Sequence, residues 1–310
     1  MKIAVLDIGG TCIKAGMYEN GSLRDYRELA TDARLGGEHV MKKAAGILKG
    51  CGGFERIGIS TAGQVDSSAG VIRFANSNIP GYTGMRIRDI MEKEFRVPAA
   101  VENDVNAAAL GEAAFGAGRR FRDFLMLTYG TGVGGAVVLD GVIYTGSSFS
   151  AGEVGGMVVH GGQRDAQADI FSGCYERYAS VTALVNAAGR LDASLTDGRS
   201  IFARLGEAPV RKIVDRWIDE ILYGLTTLIH IFNPPCIILG GGVMGQAYII
   251  EEIRKKLGKQ IMPGFRDVVI LPAQLGNTAG LLGRLNVRKE RILCRESEGQ
   301  CEQRQFYPSD

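Results

Sequence analysis

Two segments of the sequence follow one plan, and this repetition limits the folds that the chain can adopt. The first is KIAVLDIGGTCIKAGMYENGSLRDYREL, and the second, roughly 120 residues later, is DFLMLTYGTGVGGAVVLDGVIYTG. In each segment an apolar strand ends at a turn rich in Gly and Thr, a second strand follows, and a hairpin signal leads to a third. The signals Asn20-Gly21 and Asp140-Gly141 suit type I′ turns, because both central residues need a positive φ. The repetition predicts two related α/β domains.

Length and composition agree with a globular chain of two domains. The chain has 310 residues, of which 23% are charged and 45% hydrophobic. The net charge is +2 and no basic stripe with interleaved aromatics occurs, so no nucleic-acid partner is expected. No apolar run reaches the roughly 18 residues of a membrane span, so no membrane partner is expected either. The six scattered cysteines and the absence of a signal peptide pattern predict a cytoplasmic protein.

Secondary structure can be predicted along most of the chain. Apolar residues recur at helical spacing in GEHVMKKAAGILKG, YTGMRIRDIMEKEF, DVNAAALGEAAFG, APVRKIVDRWIDEILYGLTTLIHIFN and AYIIEEIRKKLGKQI. Short apolar runs in FERIGISTAG, AAVEN, CIILGGGVM and VVILPAQ predict strands. We expect an N-terminal α/β domain at 1–116, completed by a closing helix at about 277–288, and a C-terminal α/β domain at 117–276. A polar tail at 289–310 is expected to be poorly ordered.

Three Gly-rich turns follow apolar strands. They are DIGGT (7–11), GTGVGG (130–135) and LGGGVMG (239–245). Glycine lets a backbone approach a ligand, and its N–H groups can face phosphate oxygens. None is a Walker A loop, and the first two lead into strands, so neither is a Rossmann fingerprint. A single turn of this kind would indicate only a tight hairpin, but three favour a nucleotide held by hairpin turns.

The stretch VPAAVENDVNAAALGE places Glu102, Asn103 and Asp104 between an apolar strand and an Ala-rich helix. Taken alone, these side chains are best interpreted as a helix cap, because Asn and Asp accept the free N–H groups of a first helical turn. The carboxyl end of a strand is also where crevices open in α/β sheets. Asp104 can cap the helix and also take part in a site in such a crevice.

The motifs DIGGTCIK, ENDVN, GTGVGG, AGEVG, GCYERYAS and LGGGVM occur in the order and at the spacings of the ROK family of sugar kinases and repressors. The resemblance covers roughly residues 3 to 285. It implies an actin/hexokinase-like α/β fold, with two ribonuclease-H-like domains around a central cleft. It also implies ATP-dependent phosphorylation of the 6-hydroxyl of a hexose, a requirement for Mg²⁺, and a homodimer.

The resemblance assigns roles to named residues. Asp104 would be the catalytic base, which accepts the proton of the sugar 6-hydroxyl. The expected sugar-binding residues are Gly63, Asn78, Asn103, Asp104, Glu153 and Glu176. The expected nucleotide-binding residues are Asp7, Gly9, Gly10, Thr11 and Lys14 in the first phosphate motif, Gly130, Thr131 and Gly132 in the second, and Gly241 and Gly242 beside the adenosine. Asp7 would organise Mg²⁺ through water.

Two features depart from the family pattern. The first is Ala62, which stands where the family usually has Pro. Glu102, by contrast, belongs to a matching motif but receives no role from it. Many members also hold a structural zinc with one His and three Cys, but those positions here are Gly156, Gln167, Asp169 and Cys174. We therefore expect no zinc, with the loop HGGQRDAQADIFSG held by packing alone. The missing His at Gly156 leaves space near the anomeric end of the sugar, which predicts looser selectivity at C1 and C2.

Several functions stay open at this point. Glucose is the first candidate substrate, and N-acetylmannosamine kinase and beta-glucoside kinase activities are alternatives. Repressors of the family carry a helix-turn-helix region before the kinase-like part, and here the phosphate motif begins at Asp7, so a repressor is not expected. A sugar-sensing regulator without catalysis is an alternative of another class.

Overall fold

The structure is a computed structural model, which describes residues 1–285. It divides into two compact units, one formed by Met1–Asp104 with the segment from Leu281, the other by Val105–Gly280. The predicted boundary lay later, after residue 116. The helix at 104–115 belongs with the second unit because its Ala109 packs with Phe124 and Met126 of that unit. The predicted polar tail at 289–310 lies outside the described residues.

The first unit is built on the first copy of the repeated plan. Its strands are β1 (Ile3–Ile8), β2 (Cys12–Glu19), β3 (Ser22–Ala30), β4 (Arg56–Thr61), β5 (Gln64–Asp66), β6 (Val71–Phe74) and β7 (Ala99–Asn103). Its helices are α1 (Gly37–Lys49) and α2 (Ile87–Phe95). The main sheet has the order β3-β2-β1-β4-β7, in which the first three strands are antiparallel and β4 and β7 continue parallel to β1. Strands β5 and β6 form a separate hairpin.

The hairpin between β2 and β3 confirms the predicted turn. Asn20 and Gly21 have φ angles of 51° and 83°, as a type I′ turn requires. Helix α1 ends at Lys49, with Gly50, where the helix was predicted to end, as its C-cap, and buries Val40, Met41 and Ala44 along one face. These spacings place an apolar stripe against the sheet, which forms the core of this unit.

The second unit repeats the plan. Its strands are β8 (Phe124–Tyr129), β9 (Val133–Leu139), β10 (Val142–Ile143), β11 (Cys236–Gly240) and β12 (Val269–Pro272). Its helices are α3 (Asp104–Phe115), α4 (Glu176–Ala179), α5 (Val181–Gly189), α6 (Gly198–Ala203), α7 (Ala208–Phe232) and α8 (Ala247–Leu257). The sheet order β10-β9-β8-β11-β12 matches that of the first unit strand for strand. The turn at Asp140 and Gly141, with φ angles of 53° and 78°, repeats the type I′ geometry.

Helix α7 supplies much of the core of the second unit. It begins with a proline in its first turn and ends at Asn233, whose φ of 44° is left-handed, before Pro234. Trp217, on its buried face, is 4% exposed and donates a hydrogen bond to the carbonyl of Ala179. Helices α5 and α6 were not predicted, because their short apolar patterns lie among Gly and polar residues.

The last described helix, α9 (Ala279–Gly283), crosses from the second unit to the first. It is shorter than the predicted closing helix, whose residues 286–288 lie outside the described part of the chain. Leu281 and Leu285 pack against Ile3 and Val5 of β1, so this segment completes the core of the first unit. Within residues 1–285, no helix combines the length and the apolar character that crossing a membrane requires.

Candidate active site

Predicted site residues occur in both units. In the first unit, the first phosphate turn follows β1. Thr31 donates from Oγ1 to the carbonyl of Gly9 at 2.6 Å, which fixes the turn from a buried position that sequence analysis missed. A Cβ built at Gly10 would meet no atom within 4 Å, so the backbone of this turn is open to a ligand. Thr11 is exposed beside it.

Asp7 lies at the end of β1 with two polar neighbours. Ser60 Oγ donates to Asp7 Oδ1 at 2.8 Å, and Lys14 Nζ lies 3.4 Å from Asp7 Oδ2. The Asp7 side chain is 17% exposed, so its carboxylate can still receive water. One carboxylate beside water fits Mg²⁺, a small cation that keeps much of its hydration and needs few protein ligands. The role of Asp7 in metal binding stays a prediction.

Asn103 and Asp104 lie at the end of β7. Asn103 Nδ2 donates to the carbonyl of Gly63 at 3.0 Å and to Asp104 Oδ1 at 2.9 Å. Gly63 has a φ of 101°, and a Cβ there would lie 2.9 Å from the carbonyl oxygen of Phe74, so the turn needs glycine. The structure therefore brings three predicted sugar-binding residues together through hydrogen bonds. Asp104 is also the first residue of α3.

A cavity of about 100 Å³ lies next to this group. It is lined by Gly10, Ala62, Gly63, Ala75, Asn76, Asn78, Ile79 and Tyr82. Asn76 and Tyr82 were missed by sequence analysis, although Asn76 belongs to the same NSNIPGY stretch as Asn78. Tyr82 shares a hydrogen bond of 2.8 Å with Thr61 Oγ1, and burial raises the pKa of Tyr82 to about 12. The cavity joins an open backbone turn to polar side chains, a surface suited to one edge of a hydroxylated ring.

The second phosphate turn follows β8 in the second unit. The N–H of Val181 donates to the carbonyl of Gly130, and Thr182 Oγ1 donates to the carbonyl of Thr131, both at 2.9 Å. The start of α5 thus fastens this turn. No atom lies within 4 Å of a Cβ built at Gly130, so the turn presents open backbone, as Gly10 does in the first unit.

The third Gly-rich turn packs against the second. Gly241 has a φ of 114°, and a Cβ there would lie 2.0 Å from the carbonyl oxygen of Tyr129. This close approach requires glycine and places Gly241 beside the residue that precedes Gly130. A Cβ at Gly242 would meet no atom within 4 Å. The predicted phosphate and adenosine turns of this unit are therefore neighbours.

The two predicted sugar-binding carboxylates of the second unit lie near the same turn. Glu176 Oε2 lies 2.8 Å from the position of a Cβ on Gly132 and 3.1 Å from one on Gly155. The pKa of Glu153 is raised, first because neighbouring protein atoms desolvate its carboxyl and second because Glu176 carries a like charge nearby. The Glu153 side chain is nonetheless exposed. Two carboxylates held close together can accept hydrogen bonds from vicinal hydroxyls.

Two buried tyrosines connect the turn at Gly130 with Glu176. Tyr175, which precedes Glu176, shares a hydrogen bond of 2.8 Å with the hydroxyl of Tyr129, which precedes Gly130. Tyr175 OH also donates to the carbonyl of Ile221 on α7 at 2.8 Å. Burial raises the pKa of both tyrosines, so each stays a neutral hydrogen-bonding group. Sequence analysis missed this pair, because its members are isolated Tyr residues in separate motifs.

The loop at 160–173 corrects one prediction. It is not held by packing alone, because Arg164 Nη1 donates to the carbonyls of Ile170 and Ser172 at 2.6 and 2.9 Å and to Cys174 Sγ at 3.0 Å. Asp169 pairs with Arg177 at 2.8 Å. A guanidinium beside the single remaining cysteine does not fit a zinc site, and no metal-ligand cluster occurs among residues 1–285.

Comparisons with known proteins agree with this geometry. A model of the ROK family matches residues 3–291. The glucokinase of Thermotoga maritima is 32% identical over 94% of this chain and 98% of its own length. The beta-glucoside kinase of Listeria innocua is 31% identical over 91% of this chain and 96% of its own.

A solved structure extends the comparison to the fold. The crystal structure of a ROK family glucokinase from Streptomyces griseus, in complex with glucose and AMPPNP, is 29% identical to this chain. The structural match covers 92% of this chain and 98% of the Streptomyces griseus chain, with a TM-score of 0.78. The predicted actin/hexokinase-like α/β fold with two domains is confirmed. The chain therefore belongs to the ROK family and is a sugar kinase of that family.

Proposed function

We propose that this protein transfers the γ-phosphoryl group of ATP to the 6-hydroxyl of a hexose, with glucose as the first candidate. The observation that carries the proposal is the group Gly63, Asn103 and Asp104 at the end of β7, joined by hydrogen bonds of 2.9 and 3.0 Å. It lies on the same sheet edge as Asp7, two strands away. At a spacing of about 4.8 Å per strand, the two strand ends are roughly 10 Å apart, a distance that a sugar hydroxyl and a phosphoryl group can span.

Asp104 would accept the proton of the attacking hydroxyl. Phosphoryl transfer needs little covalent help from the protein, so positioning and charge stabilisation supply most of the catalysis. Asn103 supports this role by donating to Asp104 Oδ1, which orients the carboxylate. Mg²⁺ would neutralise phosphate charge, with Asp7 holding its water shell.

The open glycine turns support nucleotide binding. Gly9, Gly10 and Thr11 in the first unit, with Lys14 beside them, and Gly130, Thr131 and Gly132 in the second would line the phosphate sites. The N–H groups of Gly9 and Gly130 already donate to the carbonyls of Cys12 and Gly132, so these two glycines would shape the turns. Gly241 and Gly242 would lie beside the adenosine. Open backbone at Gly10, Gly130 and Gly242 supports this assignment, because a Cβ built at each of these three residues would meet no atom within 4 Å. The use of AMPPNP in the Streptomyces griseus complex supports ATP as the donor.

A second candidate substrate class is favoured by Gly156. A Cβ at this position would meet no atom within 4 Å, so side-chain atoms leave space there. By resemblance, this space lies near the anomeric end of the sugar. A substituent at C1 or C2, such as a β-linked aglycone or an N-acetyl group, would therefore be accepted beside glucose.

A coupled assay of ATP consumption tests the proposal. The panel is glucose, N-acetylmannosamine and cellobiose, with a no-sugar control for background ATP hydrolysis. Turnover with at least one sugar, and phosphate found on its 6-hydroxyl, is the expected result. Sugar binding without turnover on any of the three would instead indicate a sugar-sensing regulator.

We also infer a cytoplasmic protein that acts as a homodimer and has neither a nucleic-acid nor a membrane partner. The family resemblance supports the dimer, and the near-neutral charge and the lack of a long apolar run support the rest. Light scattering coupled to size-exclusion chromatography tests the dimer directly.

A further inference from the structure

A buried ion pair lies directly behind Asn103 and Asp104. Arg284 Nη2 lies 3.2 Å from Glu102 Oε2, and both side chains are 2% exposed. Arg284 Nη2 also donates to the carbonyl of Val101 at 2.5 Å. A buried pair of charges is weak evidence for stability, because desolvation can cost more than the attraction returns. The position of the pair therefore calls for a role other than stability.

Glu102 connects this pair to the candidate site. Its second oxygen, Oε1, accepts the backbone N–H of Asn103 at 3.0 Å. Asn103 in turn donates from its side chain to Gly63 and Asp104. One carboxylate thus links the guanidinium of Arg284 to the backbone of the residue that orients the candidate base.

The strand register extends this arrangement to Asp7. Glu102 of β7 lies opposite Ser60 of β4, and Ser60 lies opposite Asp7 of β1. Residues opposite each other in adjacent strands point to the same face of a sheet. Ser60 is fully buried and donates to Asp7 Oδ1. A polar row of Asp7, Ser60 and Glu102 therefore crosses three strands, from one carboxylate that the proposed reaction uses to the residue before Asn103.

Arg284 contacts Glu102 of this row, although the two residues are far apart in the sequence. A Cβ at Gly58 would lie 2.7 Å from the carbonyl oxygen of Arg284, so glycine at this point of β4 lets the segment after α9 approach the sheet. Leu281 in α9 and Leu285 after it flank Arg284 and pack on β1. Arg284 is thus held on both sides.

We propose that Glu102 and Arg284 are positioning residues, which set the place of Asn103 and Asp104 for phosphoryl transfer. This proposal rests on the proposed function. Arg284 fixes the Glu102 carboxylate, and Glu102 fixes the Asn103 backbone by accepting its N–H. Arg284 is then part of the catalytic architecture and does more than close the first unit.

Two double variants test the proposal by separating charge from the hydrogen bond. Glu102→Leu with Arg284→Met removes both charges and the acceptor for the Asn103 N–H. Glu102→Gln with Arg284→Met also removes both charges, but it keeps a carbonyl oxygen in place of Oε1. Removing both charges avoids leaving one of them buried and unpaired, and it is an unpaired buried charge that strongly destabilises the folded state. Both variants are compared at equal folded fraction, determined by circular dichroism.

The proposal predicts a split between the two variants. A displacement of about 1 Å at a reacting group can cost roughly 100-fold in rate. The Leu variant should therefore have a kcat about 10- to 100-fold below that of the Gln variant, with a smaller change in the KM for sugar. A purely structural role would leave kcat equal in the two folded proteins, and that result would overturn the proposal.

A third variant gives a decision if the Leu variant does not fold. Arg284→Lys keeps the charge but replaces the planar guanidinium, so it cannot bridge Glu102 and Val101 in the same way. We expect its kcat to be at least about five-fold below wild type, and equality with wild type would overturn the proposal. Wild-type turnover is measured first: its absence on every sugar would reject the proposed function, whereas normal wild-type turnover with equal variants rejects only the positioning role.

Discussion

Glu112 gives a stability prediction that can be worked out from three hydrogen bonds. This carboxylate on α3 is fully buried. Its Oε2 accepts the N–H of Ala117 at 2.7 Å, and its Oε1 accepts the N–H groups of Gln274 and Leu275 at 2.8 Å each. It therefore ties the end of α3 to the turn after β12.

The expected cost follows from the N–H groups that a substitution would leave without partners. A buried N–H without a partner costs about 1–3 kcal/mol, which applies in full to Ala117, whereas the N–H groups of Gln274 and Leu275 are part-buried. Glu112→Ala should thus lower the free energy of unfolding by about 4 kcal/mol, about 2 kcal/mol from Ala117 and about 1 kcal/mol from each of the other two. Glu112→Gln keeps Oε1 and loses only the bond to Ala117, so it should cost about 2 kcal/mol.

Urea unfolding, monitored by tryptophan fluorescence, measures this change in the free energy of unfolding. Trp217 is the single tryptophan of the chain and is buried in the same unit as Glu112. Glu251→Gln on α8, at an exposed position, is the control and should change the free energy by less than about 0.5 kcal/mol. A Glu112→Ala protein within about 1 kcal/mol of wild type would refute the reasoning.

Three further predictions concern the second unit. Arg164→Ala should speed chymotrypsin cleavage at Phe171 by about tenfold or more, because three hydrogen bonds of the loop are lost, and equal cleavage rates would contradict this. The pKa of Glu153 is raised above its usual 4.5, so its contribution to stability is present at lower pH and is lost as pH rises through the raised pKa. As pH rises from 4.5, the melting temperature of Glu153→Gln should therefore fall less than that of wild type. Melting temperatures that change equally with pH in the two proteins would count against the raised pKa of Glu153. Gly156→His should fill the open space and lower kcat/KM for cellobiose more than for glucose, and an unchanged ratio would show that this space does not receive the C1 substituent.

Features set by neighbouring residues could be predicted from the sequence. The turn at Asn20 and Gly21 has its own conformational signature, and the repeated hairpin plan predicted two related α/β domains, whose main sheets share one strand order. The Gly-rich turns at strand ends were also identified, because clustered glycines directly after an apolar run are visible in the sequence. The approach of Gly241 to Tyr129, which are far apart in the sequence, is seen only in the fold.

Features set by distant residues could not be predicted. Arg284 and Glu102 are separated by most of the chain, and neither has a local pattern that would indicate burial. Arg164 carried no signal either, since a charged loop residue is usually exposed, and only the fold shows that it donates to Cys174. In both cases an arginine satisfies backbone carbonyls that lie far from it or that become neighbours only in the folded loop.

The central claim, that Asp104 is the base in phosphoryl transfer, is tested most directly by the kcat of Asp104→Ala and Asp104→Asn with the best sugar substrate. The Asn variant keeps an oxygen for the hydrogen bond from Asn103 but cannot accept the hydroxyl proton. The account predicts that both variants fold, bind sugar, and lose about 10²–10⁴-fold or more in kcat. A kcat within a few-fold of wild type in the folded variants would contradict it.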